Sequence, residues 1–227
     1  MTKKSDLKHD PIREYIVKAI SFTNDYKNRI VQVSIGIIVI LFAVYWLKGQ
    51  AEQKEENAAT SFGIALNSYI EAGSDSLKRS VALADFQEVV DNYESSKAGN
   101  YSKFYLAKEH FDNANYNEAS ILLNQIKSKT DDIVLQSYIL NMLGNIASNN
   151  GEVDKAIQHY LKAAKLVQVD ALSDNFKVNA IRAYIVNQQF DKAILILESL
   201  LEKDNLKYTV KNEIEMLLAE AEYLSNN

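Results

Sequence analysis

The sequence predicts an all-α chain, with one N-terminal transmembrane helix followed by an α-solenoid of about four helix pairs and a C-terminal capping helix. Three observations predict it. The 227 residues include only 7 Gly and 1 Pro, so few positions interrupt helix. Residues 30–47, IVQVSIGIIVILFAVYWL, carry no charge. Alanine returns at steps of thirty-seven, as Ala82, Ala119, Ala156 and Ala193.

Charge divides the chain into three parts. Residues 1–29 hold seven Lys/Arg and four Asp/Glu, and residues 48–227 hold eighteen and twenty-six. A basic head and an acidic body thus flank an apolar segment. The net charge of −5 offers no general footprint for nucleic acid. The absence of Cys excludes a disulfide scaffold and a thiolate-ligated metal.

At about 1.5 Å per residue, helix over 30–47 covers about 27 Å, close to the hydrocarbon thickness of a bilayer. Lys27, Arg29 and Lys48 close its ends, and Tyr45 and Trp46 sit just inside the second end, where interfacial aromatics belong. A buried core helix would need a polar face that this run lacks. A cleaved signal peptide is the other reading, with Gly49-Gln50-Ala51 as a weak cleavage site, but the apolar run is long for a signal core. An uncleaved anchor fits better. Arg13, Lys18, Lys27 and Arg29 precede the span, against Lys48 and Lys54 after it. That bias places the N-terminus in the cytoplasm and the body across the membrane, which in a bacterium is the periplasm.

The head, 1–29, has its own pattern. Ile12, Tyr15, Ile16, Ala19, Ile20, Thr23 and Tyr26 follow helical spacing, and Pro11 stands where a helix can begin. Two readings are open: a helix lying on the inner leaflet or on a membrane partner, and a tail that only stops translocation. Residues 48–57 are rich in Lys, Glu, Gln and Ala, so a helical stalk is expected between the anchor and a body spanning 58–227.

The body carries the recurrence. Four places after each alanine stand Phe86, Leu123, Tyr160 and Leu197, and seven places after stand Val89, Ile126, Ala163 and Leu200. Twelve places before the last three stand Ala107, Gly144 and Ile181, and three places before them stand Tyr116, Val153 and Phe190. Between the two apolar segments lie Ala114, Gly151 and Gln188, each preceded by Asn. A small residue at a fixed interval marks the close crossing of two helices in a stacked unit. The pattern resembles the tetratricopeptide repeat, with Gly144, Gly151, Ala156 and Tyr160 as the best match. The period is 37 rather than 34, and the usual Pro after the second helix is replaced by Asp131, Gln168 and Asn205. In the first unit, 58–72 is expected as helix A, followed by a longer turn, GSDSLKRS. Asp131-Asp132 and Ser173-Asp174 read as helix N-caps. Residues 208–224 read as a capping helix with polar and acidic residues outward.

No catalytic constellation is visible. His9, His110 and His159 lie in no metal-binding spacing, and no phosphate-cradling or nucleophile-elbow motif occurs. The chain is expected to be no enzyme and to need no cofactor or metal. The tetratricopeptide resemblance instead implies a groove lined by the first helix of each pair. Carried over, its residues are Tyr101, Phe104, Lys108 and Phe111, then Tyr138, Asn141, Asn145 and Ser148, then Asn175, Val178, Arg182 and Ile185. Aromatic groups with amide and cationic donors suit an extended peptide. A merely solvated polar face is the alternative.

Across its length the chain resembles the YfgM-like ancillary subunits of the SecYEG translocon. The resemblance is carried by the order of head, anchor and array, and by the run from AEQKEENAATSFGIALNSYIEAGSDS into FYLAKEHFDNANYNEASILLNQI. It implies an inner-membrane protein associated with a SecYEG-type translocon, a membrane-anchored periplasmic chaperone and newly exported polypeptides. The alternative is a scaffold for envelope assembly or cell division that uses the same solenoid without a translocon.

Overall fold

The computed structural model describes residues 11–203, 206 and 208–226, so His9, the first ten residues of the expected head and Asn205 lie outside the described residues. The described residues form helices α1 (Pro11–Ala72), α2 (Ser76–Tyr93), α3 (Lys97–Asp112), α4 (Tyr116–Lys127), α5 (Ile133–Asn149), α6 (Val153–Leu166), α7 (Asp170–Val186), α8 (Phe190–Leu201) and α9 (Tyr208–Ser225). The chain divides into two compact units, Met1–Gln53 and Lys54–Asn227.

In the first unit, the described residues belong to α1. The helix segment within Tyr26–Ala72 is long and apolar enough to cross a membrane by length and composition, with mean hydropathy 2.5 in its most apolar stretch and none of that stretch buried. Ile35, Ile38, Leu41, Phe42, Tyr45 and Trp46 are all exposed.

The second unit is a solenoid of helix pairs, and the recurring small residues form its spine. Ala82, Ala119, Ala156 and Ala193 are fully buried. Their partners four and seven places on are buried with them: Phe86 and Val89, Leu123 and Ile126, Tyr160 and Ala163, Leu197 and Leu200. At the facing position of the first helix in each pair, Ala107, Gly144 and Ile181 are also buried. At Gly144 the contact leaves no room for a side chain: an added Cβ would lie 2.5 Å from the Tyr160 ring. Each pair buries its stripe against the next, as a solenoid requires.

The turns inside the pairs repeat as closely as the helices. Asn113, Asn150 and Asn187 cap α3, α5 and α7. The next residues, Ala114, Gly151 and Gln188, adopt left-handed φ of 59°, 77° and 56°. Their amides donate to Phe111, Ser148 and Ile185, and the amides of Asn115, Glu152 and Gln189 donate to His110, Ala147 and Tyr184. This paired bonding is the Schellman motif, which satisfies the last carbonyls of a helix.

Charged groups also tie helices of the second unit to one another. Glu94, at the end of α2, pairs with Lys103 at 3.0 Å and Lys129 at 3.1 Å. Asp174, buried in α7, pairs with Lys203 at 2.6 Å and Lys177 at 3.5 Å. Arg79 of α2 donates to Glu109 of α3 at 2.9 Å, to the Gly73 carbonyl at 3.0 Å and to the Tyr69 hydroxyl.

Three expectations need correction. The first turn is short: Asp75 accepts from the amides of Leu77 and Lys78, and α2 begins at Ser76 instead of after Ser80. Asp132 caps α5 as expected, but Ser173 and Asp174 lie inside α7, which begins at Asp170. The Ser173 hydroxyl bonds the Ala164 carbonyl instead. On α9, Tyr208, Met216 and Tyr223 are exposed beside the acidic residues, so its outer side is mixed.

Candidate functional site

Helices α3, α5 and α7 carry the expected groove residues. The ring of Tyr101 lies 5.8 Å from Phe62 of α1, and its hydroxyl donates to Asp132 at 3.0 Å. Burial first, and then Asp132, pushes the Tyr101 pKa up to about 12. Phe104 lies 6.3 Å from Tyr138 of α5, which meets Phe176 of α7 edge-on at 5.8 Å. Phe111 turns toward Tyr116 at 5.5 Å and packs on the core between α3, α4 and α5. The result is an aromatic run along the first helices, Phe62–Tyr105–Phe104–Tyr138–Phe176, with Tyr101 beside Phe62 and Tyr105 stacked on the buried Phe86. Tyr138, at 41 % exposure, is its most open member on α5.

The polar members already have partners. Lys108 pairs with Asp112 at 2.5 Å, and Arg182 pairs with Glu213 of α9 at 2.7 Å. Asn141 accepts from Asn179 at 2.8 Å, and Asn145 accepts from the Tyr160 hydroxyl at 2.8 Å. A peptide on this face would have to share these groups or displace their partners, which lowers the net gain from each new bond.

Two expected groove residues are not on the face. Val178 and Ile185, 5 % and 9 % exposed, belong to the core that α7 shares with α8 and α9. Asn175 and Ser148 are exposed. Phe62, Tyr105 and Asn179 were not expected here. Phe62 lies on the expected helix A of the first unit, for which the repeat projects no groove position, and Tyr105 and Asn179 each sit one place after a position that the repeat projects. The described residues contain no group of three or more His, Asp or Glu able to hold a metal ion.

The tetratricopeptide repeat-like domain family matches residues 21–198. The chain belongs to that family. Among solved structures, a single-substitution form of the nearly identical TPR-like repeats of a Podosopora anserina protein described as a kinesin light chain is similar, with 19% identity and a TM-score of 0.58 over 76% of this chain and 88% of that one. A second structure of those repeats gives 18% identity and a TM-score of 0.52, over 75% and 95%. At such identity the likeness shows the fold alone. No curated protein matches the chain. As a tetratricopeptide repeat-like array, the second unit is a scaffold for protein–protein interaction.

Proposed function

We propose that this chain is a non-enzymatic, single-pass inner-membrane protein whose tetratricopeptide repeat-like array works in the periplasm as an accessory of a SecYEG-type translocon. In this reading, 1–29 is a cytoplasmic head, 30–47 the anchor, 48–57 a helical stalk and 58–227 the periplasmic array. The head and anchor meet the translocon. The array receives a membrane-anchored periplasmic chaperone or a newly exported polypeptide.

The observation that carries the proposal is one chain holding both an uncharged, exposed helix segment suited to a bilayer and a protein-binding array. The Lys/Arg bias across the span supports the orientation. The aromatic face, with Tyr138 most open, supports binding of apolar side chains from an unfolded or extended segment.

The test is site-specific photocrosslinking in intact bacterial membranes from Phe22 in the head and Tyr138 in the array. Adducts of the Phe22 probe with translocon subunits, together with adducts of the Tyr138 probe with a periplasmic chaperone or an exported chain, are expected. Adducts at both positions with division or outer-membrane assembly proteins would instead establish the scaffold reading. In the same membranes, an impermeant thiol reagent should label Asn150→Cys from outside and leave Ser5→Cys untouched.

A further inference from the structure

Helix α9 carries apolar side chains on two opposite faces. Ile214 and Ala221 are fully buried in the core shared with α7 and α8, and Val210, Leu217 and Leu218 pack around them. At about 100° per residue, Met216, Ala219 and Tyr223 fall in a sector about 180° from Ile214 and Ala221. Met216 and Tyr223 are 74 % and 68 % exposed, and Ala219 is exposed between them. Tyr208, also exposed, extends the stripe toward the start of the helix.

A helix that packs with one face is ordinarily polar on the other. The core of the array does not require this second stripe, because the inner face of α9 already closes it. An exposed apolar residue standing alone needs no explanation, whereas a contiguous set with a polar rim marks an interaction surface. From Tyr208 to Tyr223 the stripe runs about 22 Å along the helix, at about 1.5 Å per residue. That is the length of a helix–helix contact of four turns or so.

The rim decides what the stripe can receive. Helical spacing puts Lys211, Glu215 and Glu222 along one edge and Glu220 at the other. Lys211 is taken by Glu215 at 3.9 Å. Glu213 is turned to α7, where it pairs with Arg182 at 2.7 Å. Among the described residues neither Glu220 nor Glu222 has a cationic partner, so each edge keeps an unbalanced carboxylate. A partner must bring apolar side chains for the stripe and cations for its edges. It must also satisfy its own backbone. The amides and carbonyls of α9 are spent inside the helix, and its carboxylate-rich rim offers few donors to the carbonyls of an extended peptide. A helix brings its backbone bonds with it. An anionic leaflet would be repelled by the rim, and a second copy of α9 would bring the same surplus of carboxylates to the contact.

We propose that the outer face of α9 docks a basic amphipathic helix of a partner protein. The apolar side chains of that helix lie on Met216, Ala219 and Tyr223, and its Lys or Arg side chains face Glu220 and Glu222. This is the helix-on-helix mode of recognition, with the anchors spaced along one face. The surface shares no residue with the aromatic run, so the array has a second and separate place for a partner.

The experiment is fluorescence polarisation with the full chain in nanodiscs of neutral lipid, empty discs serving as the blank. The probe is a labelled peptide as long as α9, helical through its alanine content, with leucines along one face and lysines at both edges of that face. The wild-type chain is expected to bind it, and to bind the same peptide with glutamates in place of the lysines at least tenfold more weakly. Glu220→Lys/Glu222→Lys should invert that preference, and Met216→Ser/Tyr223→Ser should lose more than tenfold in affinity for the lysine peptide. Tyr138→Ala, on the aromatic run, should bind as wild type does. All the substituted positions are exposed, and an unchanged circular-dichroism melt establishes that each variant is folded. Failure of the wild-type chain to bind, equal affinity for the two peptides, wild-type affinity in either double variant, or loss on Tyr138→Ala would each overturn the proposal. So would self-association of the chain, or its attachment to anionic vesicles, that Met216→Ser/Tyr223→Ser abolishes, since the stripe would then belong to a second copy or to a lipid surface. None of these results bears on the translocon adducts, so the two readings fail separately.

Discussion

The Tyr160 ring lies across the backbone of α5 at Gly144, leaving room there for a hydrogen and not for a methyl group. The ring is held in place by its hydroxyl, which donates to Asn145 on the same helix at 2.8 Å. Replacing Gly144 with Ala should therefore destabilise the array. Overpacking costs about 1–3 kcal/mol, and the better helix propensity of Ala returns up to about 1 kcal/mol. A net loss of about 1–2 kcal/mol in a chemical melt is expected. In a Tyr160→Leu background the same change should be neutral or stabilising, because the ring that it meets is gone. Equal losses in both backgrounds would mean that the ring is not what excludes the methyl group.

The left-handed turn residues give an opposite expectation. Ala114 and Gln188 hold φ values that favour Gly, as Gly151 does at the equivalent place. A left-handed residue with a Cβ costs about 1–2 kcal/mol, and Gly costs part of that back in unfolded-state entropy. Ala114→Gly and Gln188→Gly should each stabilise by about 0.5–1 kcal/mol, and Gly151→Ala should destabilise by about 1 kcal/mol. Calorimetry on the three single variants checks the signs, and a loss in Ala114→Gly would refute the account.

His159 supplies a pH dependence. Burial first, and then Lys127, Lys155 and Lys162, hold its pKa below the ordinary 6.5, with Glu152 pulling the other way. The unfolded chain therefore takes up a proton at this site before the folded chain does. Stability is unaffected well above pH 6.5 and falls as the pH drops from there through the lowered folded value. Urea melts between neutral and mildly acidic pH should show this fall, and His159→Gln should flatten it. An unchanged slope in the variant would assign the dependence to other groups.

The spine of the array was legible in the sequence because a solenoid imposes one packing demand at every step. Ala82, Ala119, Ala156 and Ala193 had to be small for the same reason, so their spacing exposed the fold. The faces were less legible. Projecting groove positions by a fixed step assumes that every pair has the same neighbours, and α7 does not. Helix α9 closes over it, and Val178 joins Ile214 and Ala221 in a common core. GSDSLKRS has the composition of a loop, although Asp75 at its third place starts a helix. A second recurrence runs along the first helices of the pairs. Asn100, Ser137 and Asp174 are polar, buried and thirty-seven residues apart. Polar side chains in a helix read as solvent-facing unless the partner that buries them is known.

The three matching turns carry a consequence for how such a chain can change its length over generations. Each joint at Ala114, Gly151 and Gln188 hands the backbone to the next helix in the same conformation and at the same phase. Duplicating or deleting one whole period of thirty-seven residues would rejoin the chain in register, with every buried alanine still turned toward the first helix of its pair. Losing one residue within a helix would rotate everything beyond it by about 100° and turn the buried stripe to the outside. Among such proteins, variation in length is then expected in whole periods or at the joints, with single-residue gaps absent from the helices between them.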